Sequence, residues 1–279
     1  MSEKTRIIRT FLKNKAAVVG AVISIVIIIV AIFAPWIAPY DPLTQDVYYR
    51  LKPPDTGHLL GTDFYGRDIL SRIIWGSRIS LIVGTISVAL AMVLGTALGI
   101  LAGYLGGALE SLVMRLADIM MSFPDEVFGI MMLVALGSGL TKVIIVIALL
   151  FTPRFARVAY APTLALKERD FVSAAVAVGA SKKRIIWQHI MPNVLGDVLV
   201  MGSLWIGTAI RLEANLSFLG LGVAPPTPTW GNMVREGVDY LMSAPWVATF
   251  SGLAILITIL GFNMLGDGIR DMVDPKLRL

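Results

Sequence analysis

Residues 16–38 contain no charged side chain. As a helix they would extend about 35 Å, against roughly 30 Å of hydrocarbon in a bilayer. Lipid offers no partner for a bare peptide group, so such a run crosses as a helix, in which the N–H and C=O groups pair within the segment. Comparable runs recur at 79–103, 111–136, 141–159, 194–220 and 246–266. The expected fold is all-α, a polytopic membrane protein with six transmembrane helices. Composition agrees: 56% of the 279 residues are hydrophobic and 15% charged, with a mean hydropathy of +0.78, outside the range of soluble domains. The chain has no cysteine, which removes disulfide frameworks, thiolate metal sites and cysteine nucleophiles together.

Lys4, Arg6, Arg9, Lys13 and Lys15 precede the first run. This resembles the start of a signal peptide, but the apolar run is too long for its core, so an uncleaved first span is expected. Six crossings put both termini on one side. Placing the N-terminus in the cytoplasm assigns most of the 24 Lys and Arg residues to cytoplasmic segments, Arg115, Arg154, Arg157, Lys167, Arg169, Arg270, Lys276 and Arg278 among them, as the positive-inside rule requires.

One of those segments is unusually long. Residues 161–193 form a polar, basic island between two apolar runs. Ala174, Ala175 and Ala177 favour helix, Gly179 supplies a C-terminal cap, and Ser181 caps a second helix over 182–190 that Pro192 should stop. Lys182, Lys183 and Arg184 face the positive end of that helix's dipole, at a few tenths of a kcal/mol each. An acidic surface outside the helix would compensate, either anionic membrane lipid or an acidic groove on a cytoplasmic protein.

The inventory points away from catalysis. The chain contains no Gly-Lys pair, so it lacks a phosphate-binding loop. His58 and His189 fall in loops rather than beside an intramembrane serine. A secondary transporter would show internal repeats, and none is visible between the halves, which leaves it and a homodimeric channel as the rival readings. No nucleic-acid partner is indicated.

The island carries a recognisable pattern: Ala174-Ala175, Gly179, and Pro192 thirteen residues after that glycine. It resembles the EAA loop of membrane subunits of ATP-binding cassette importers. Further motifs extend the resemblance over nearly the whole chain: His58-Leu59-Leu60-Gly61-Thr62-Asp63, Gly66-Arg67-Asp68, Ser71-Arg72, Arg115-Leu116-Ala117-Asp118, Phe123-Pro124, Leu216-Ser217-Phe218-Leu219-Gly220-Leu221-Gly222, Trp230-Gly231, Gly266-Asp267 and Asp274-Pro275. Together they are similar to the C-type permease subunit of the dipeptide, oligopeptide and nickel branch. Three departures stand out: Ser173 replaces the Glu that names the motif, Phe151-Thr152-Pro153-Arg154 replaces a more aromatic segment, and Ser251 stands where Pro is common.

The resemblance implies half of a translocation pathway in a bacterial or archaeal plasma membrane, paired with a homologous B-type permease subunit. It also implies two cytoplasmic ATPase subunits that bind ATP and Mg, with no cofactor or metal on this chain, and an extracytoplasmic substrate-binding protein. Dipeptides or oligopeptides are the expected cargo, with nickel chelates, glutathione and oligosaccharides as alternatives. The ATPase contact would fall to Ala174, Ala175, Gly179, Ala180, Ser181, Lys182, Lys183, Arg184, His189 and Pro192.

Charges inside the spans are the other candidates. In a straight third span Asp125 and Glu126 would lie about 21–23 Å into the core, past the midplane, facing the pathway or the partner subunit or serving as static structure. Arg211 and Glu213 would lie about 26–29 Å along the fifth span, at the outer interface, where they would snorkel and serve an outer gate or the partner subunit. Gly95, Gly99, Gly103 and Gly107 form a ladder suited to close helix packing. Residues 66–78 read as an amphipathic helix lying flat at the outer surface with an Asp68–Arg72 pair. The organisation expected is therefore 1–45 as N-terminus and first span, 46–78 as an outer loop with that interfacial helix, and 79–279 as a five-helix core.

Overall fold

The structure, a computed structural model, describes residues 11, 12 and 14–273. Lys4, Arg6, Arg9, Lys13, Asp274-Pro275, Lys276 and Arg278, used above for orientation and resemblance, lie outside the described residues. Five helices are long and apolar enough to cross a membrane, and a bent helix pair makes up to six if it is taken as one span. Among the described residues there is no strand, only an isolated bridge between Thr62 and Asp68.

The first crossing is α1 (Lys15–Ile32) followed by the single turn α2 (Ala34–Ile37). The expected continuous run breaks at Phe33 because Pro35, in the first turn of α2, cannot extend the preceding helix. The Asn14 side chain caps α1 by accepting from the Ala17 amide and donates to Asp271 at 3.0 Å. That bond ties the start of α1 to the end of α11 (Pro245–Val273). The two helices pack through small residues: a Cβ on Gly20 would strike the backbone of Gly261 and Leu265, and one on Gly268 would strike Ala17.

The second crossing, α3 (Ile69–Leu105), has 37 residues, about 55 Å of helix, so its first turns project beyond the bilayer. The helix expected to lie flat over 66–78 is therefore not separate. It is the projecting start of α3, and its side chains are enclosed: Ile69, Ser71 and Arg72 are buried, as are Arg67 and Asp68 just before it. Residues 41–68 and α10 (Trp230–Val238) wrap this end. Trp230 donates its indole N–H to the Ile73 carbonyl at 3.0 Å, and Trp246 donates to the Thr62 carbonyl at 3.2 Å. We call this the loop end of the bundle.

After a turn at Gly106 and Gly107, both at positive φ, the third crossing runs as α4 (Gly107–Met121) and α5 (Asp125–Leu136), bent by 96°. Pro124 has no N–H to continue α4, so the chain breaks over Ser122-Phe123-Pro124 and restarts. The fourth crossing, α6 (Leu140–Lys167), returns along α3 in the most extensive pairing of the fold. Here the glycine ladder acts as expected at three of its four rungs. A Cβ on Gly95 or Gly99 would run into the α6 backbone at Thr152 or Ala156, and one on Gly103 would meet Thr163 at 3.0 Å, whereas Gly107 faces nothing within 4 Å.

The island follows as α7 (Asp170–Ala177) and the single turn α8 (Lys182–Ile185). A π-helical turn over Ile186–Ile190 then leads directly into α9 (Met191–Phe218). Pro192 does not stop the helix. It sits in the first turn of α9, where its missing N–H is tolerated, and the wider π turn re-registers the hydrogen bonds before it. Residues 182–218 thus form one element.

Two apolar clusters hold the bundle. One joins α3, α6, α9 and the island through Val83, Val88, Phe151, Phe155, Ile185 and Leu212. The other, nearer the loop end, packs Ile69, Ile210, Trp230, Met233 and Val247.

Candidate functional site

The island presents its sequence-predicted residues at the end of the bundle opposite the loop end. Gly179 adopts φ +80° and closes α7 as a left-handed cap, with the Ala180 amide donating to the Ala175 carbonyl at 3.0 Å. Nothing lies within 4 Å of where its Cβ would be, so the glycine is needed for backbone conformation rather than for space. Ser181 then caps α8, its hydroxyl accepting from the Arg184 amide at 3.4 Å. Ala174, Ser181, Lys182, Lys183, Arg184 and Pro192 are exposed. Ala175 and Ala180 pack partly against the core. His189 is half-buried beside the Phe171 ring.

Apolar residues missed in the sequence reading share this surface: Val176 and Trp187, each 57% exposed, and Val178 at 83%. Hydropathy could not single them out, because Val178 and Trp187 read as ordinary core residues until the turn at Gly179 turns that segment outward. An exposed apolar patch beside a basic helix start is the composition of a protein-binding surface.

A second constellation lies on the apolar helices that could cross a membrane. Three acids of the bent crossing each meet an arginine from another helix. Asp118 on α4 pairs with Arg157 on α6. Asp125, at the start of α5, accepts from the Arg154 guanidinium through both carboxylate oxygens at 2.8 and 2.7 Å. Glu126 accepts from Arg211 on α9 at 3.1 Å. The bend removes the basis for placing Asp125 and Glu126 by depth along a straight helix. What locates them is their partners, and Arg154 sits about 21 Å from the start of α6 and about 20 Å from its end. Arg154 therefore lies at the middle of α6, within the stretch read from the sequence as the fourth span. Its guanidinium also lies 5.4 Å from the Phe151 ring centroid.

Arg211 and Glu213, two positions apart on α9, separate completely. Arg211 reaches Glu126 rather than head groups, with its side chain 46% exposed. Glu213 is fully buried, accepting from Ser80 of α3 at 3.1 Å and from Ser217 at 2.7 Å. Snorkelling and a partner-subunit contact are both excluded for Glu213, because this chain itself encloses it.

The third charged group was not read as a site at all. At the loop end Asp63 accepts from Arg67 Nε at 2.6 Å and Arg72 Nη1 at 3.0 Å, and Glu236 of α10 accepts from Arg67 Nη2 at 2.7 Å and Arg72 Nη2 at 3.2 Å. Asp68 caps α3 through the Ser71 amide at 2.7 Å and contacts His58 Nδ1 at 3.0 Å. The expected Asp68–Arg72 pair does not form, because each has a better-placed partner. Burial pushes the Asp63 and Glu236 carboxyls above the ordinary carboxylate range, against the downward pull of the Arg67 guanidinium. Four interlocked charges with 3% or less exposure on three of them fasten α3, the loop before it and α10 together.

The described residues form no cluster of three or more His, Cys, Asp or Glu side chains able to hold a metal ion. What the geometry does offer is an apolar helical bundle with an exposed basic and apolar surface at one end, a fastened cap at the other and paired charges between. The comparisons with known proteins specify it. The sequence pattern of the binding-protein-dependent transport system inner membrane components matches residues 95–279, and the chain belongs to that family as the permease subunit of an ATP-binding cassette importer. That of the N-terminal transmembrane domain of oligopeptide transport permease C matches residues 5–54, which places the chain in the C-type peptide branch.

Among similar proteins, the dipeptide transport system permease protein DppC of Alkalihalophilus pseudofirmus is 42% identical over 95% of this chain and 88% of its own length. The glutathione transport system permease protein GsiD of Escherichia coli is 44% identical over 97% of this chain and 89% of its own. A structure of the MetNI methionine transporter in inward-facing conformations has the same fold, with a TM-score of 0.59 at 19% identity over 73% of this chain and 97% of that one. As in these permeases, the work of the chain is transport, and the family implies partner permeases and ATPases that carry the hydrolysis.

Proposed function

We propose that the chain pairs with a homologous B-type subunit to form the pathway of a peptide importer, with the island as the attachment point for one of two cytoplasmic ATPases that bind ATP and Mg. The observation that carries this is the island's surface. A Ser181-capped basic turn stands next to exposed Val176, Val178 and Trp187, and the π turn joins that surface without a break to α9. Displacement of the island by a closing ATPase would then move a whole crossing.

On this reading the island end is cytoplasmic together with both termini, and the loop end faces an extracytoplasmic binding protein and anionic or zwitterionic lipid head groups. Dipeptide is the proposed cargo, in keeping with the relative named for dipeptide transport. The relative named for glutathione transport supports a second reading, a glutathione importer. Asp125, Glu126 and Arg211 line the path, since charged side chains at mid-membrane avoid lipid in favour of a partner or a water-filled cavity.

A cysteine replacing Lys183 tests the attachment. It should crosslink to an ATPase subunit in membranes of the assembled transporter, with a yield that changes when ATP is added. Absence of any crosslink, with a cysteine replacing Arg50 at the loop end reacting equally with cytoplasmic reagents, would overturn both the attachment and the orientation.

A further inference from the structure

The three membrane ion pairs are unequal in exposure. Asp125–Arg154 is largely enclosed, at 17% and 27%. Asp118–Arg157 is the most exposed, at 54% and 49%, and Glu126–Arg211 is open as well, with side chains 39% and 46% exposed and a single 3.1 Å contact. Arg211 lies about 10 Å along α9 from its loop end, and Glu126 about 15 Å along α5 from its loop end, both on helices apolar enough to lie in a membrane. Exposed charge on such helices cannot face lipid without a cost of a few kcal/mol.

We infer that the Glu126–Arg211 pair is an exchange station for zwitterionic solutes, a deepening that rests on the peptide-pathway reading above. Charged side chains on membrane helices keep a partner, so an ion pair of this kind opens for a solute that replaces both halves at once. A solute carrying an ammonium and a carboxylate does this. Its carboxylate takes the place of Glu126 on Arg211, its ammonium takes the place of Arg211 on Glu126, and the number of unpaired charges stays at zero throughout. A neutral solute of the same size offers no replacement and meets a closed pair. Asp125–Arg154, next to it and bidentate, holds the start of α5 in place while the open pair exchanges.

The test uses the complete transporter with its binding protein in proteoliposomes, supplied with alanyl-alanine or glutathione at concentrations that saturate the binding protein. Glu126→Gln and Arg211→Gln should each lower uptake by roughly tenfold or more, because each leaves one charge unmatched. The decisive variant is the double Glu126→Gln/Arg211→Gln. It has no orphaned charge, so a purely structural pair would be restored by it, whereas an exchange station would stay impaired with abundance in the membrane and co-purifying ATPase at normal levels. The charge swap Glu126→Arg/Arg211→Glu should recover uptake to within about threefold of the unaltered transporter, since both signs are present again.

A double-Gln variant within twofold of normal, a swap as inactive as the single variants, or loss of the partner subunit from the purified complex would each overturn the inference. If the unaltered transporter imports neither peptide, the peptide reading itself fails and the inference falls with it, an outcome separated from the others by the control lane.

Discussion

The loop end and the membrane core hold their charges in opposite ways. At the loop end Asp63, Arg67, Arg72 and Glu236 form a closed ring of four contacts between 2.6 and 3.2 Å. In the core Asp118, Asp125 and Glu126 of the bent crossing each meet one arginine, and the pairs of Asp118 and Glu126 are open. A closed, shared network leaves no charge free to take another partner, so it fixes structure. Isolated, accessible pairs can exchange partners, and they contribute little to stability while doing so. The difference separates a fastening from a working part, although the residue types are the same.

The sharpest way to break this contrast is Arg72→Met. Its guanidinium is enclosed, with even Nε lacking a partner among the described residues, and its removal strips one cation from two carboxylates. The expected loss is about 3–5 kcal/mol, read as failure of the chain to accumulate in membranes, or as a lowered unfolding temperature of the purified transporter. Glu126→Gln should do the reverse, changing stability by no more than about 1 kcal/mol while suppressing uptake. If the two variants lower abundance equally, the distinction between the regions is lost.

Packing gives the next effect. Gly99→Leu drives a side chain into the Ala156 carbonyl and should cost about 1–3 kcal/mol, seen as weaker resistance to heat or denaturant. Gly179→Ala meets open space instead and should act only through its left-handed backbone, costing about 1 kcal/mol and weakening ATPase co-purification more than membrane abundance.

The smallest effect expected is on pH dependence. Because burial raises the Asp63 and Glu236 carboxyls, the folded chain holds more protons than the unfolded one between the unfolded value near about 4 and the raised folded value. The stability contributed by these groups is present below that window and is lost as pH rises through it. Unfolding temperatures measured across a pH series should show that decline, and Glu236→Gln should flatten it. A decline of equal slope in the variant would assign it to other groups.

Much of the bundle was legible in the chain. Apolar runs mark where the crossings fall, because transfer into lipid depends on local composition. The caps at Gly179 and Ser181 and the glycine ladder are likewise visible, since each rests on a residue's own conformational or steric character. The end of a helix expected at Pro192 does not occur, because a π turn absorbs the defect, and at Pro124 the bend reaches 96° where a straight third span was expected. The flat outer helix was misjudged too, because amphipathicity indicates that a face is buried without indicating what buries it.

Sequence by itself determined that this chain lives in a membrane, where its apolar spans fall, where its basic island turns, and which family it resembles. Tertiary structure alone decided which charges meet. Asp125 finds Arg154 across 29 positions, Glu126 finds Arg211 across 85, and Arg72 finds Glu236 across 164. Neither propensity nor periodicity encodes such partners, since an ion pair's strength depends on distance and surrounding dielectric, and both are set only when helices distant in the chain have packed.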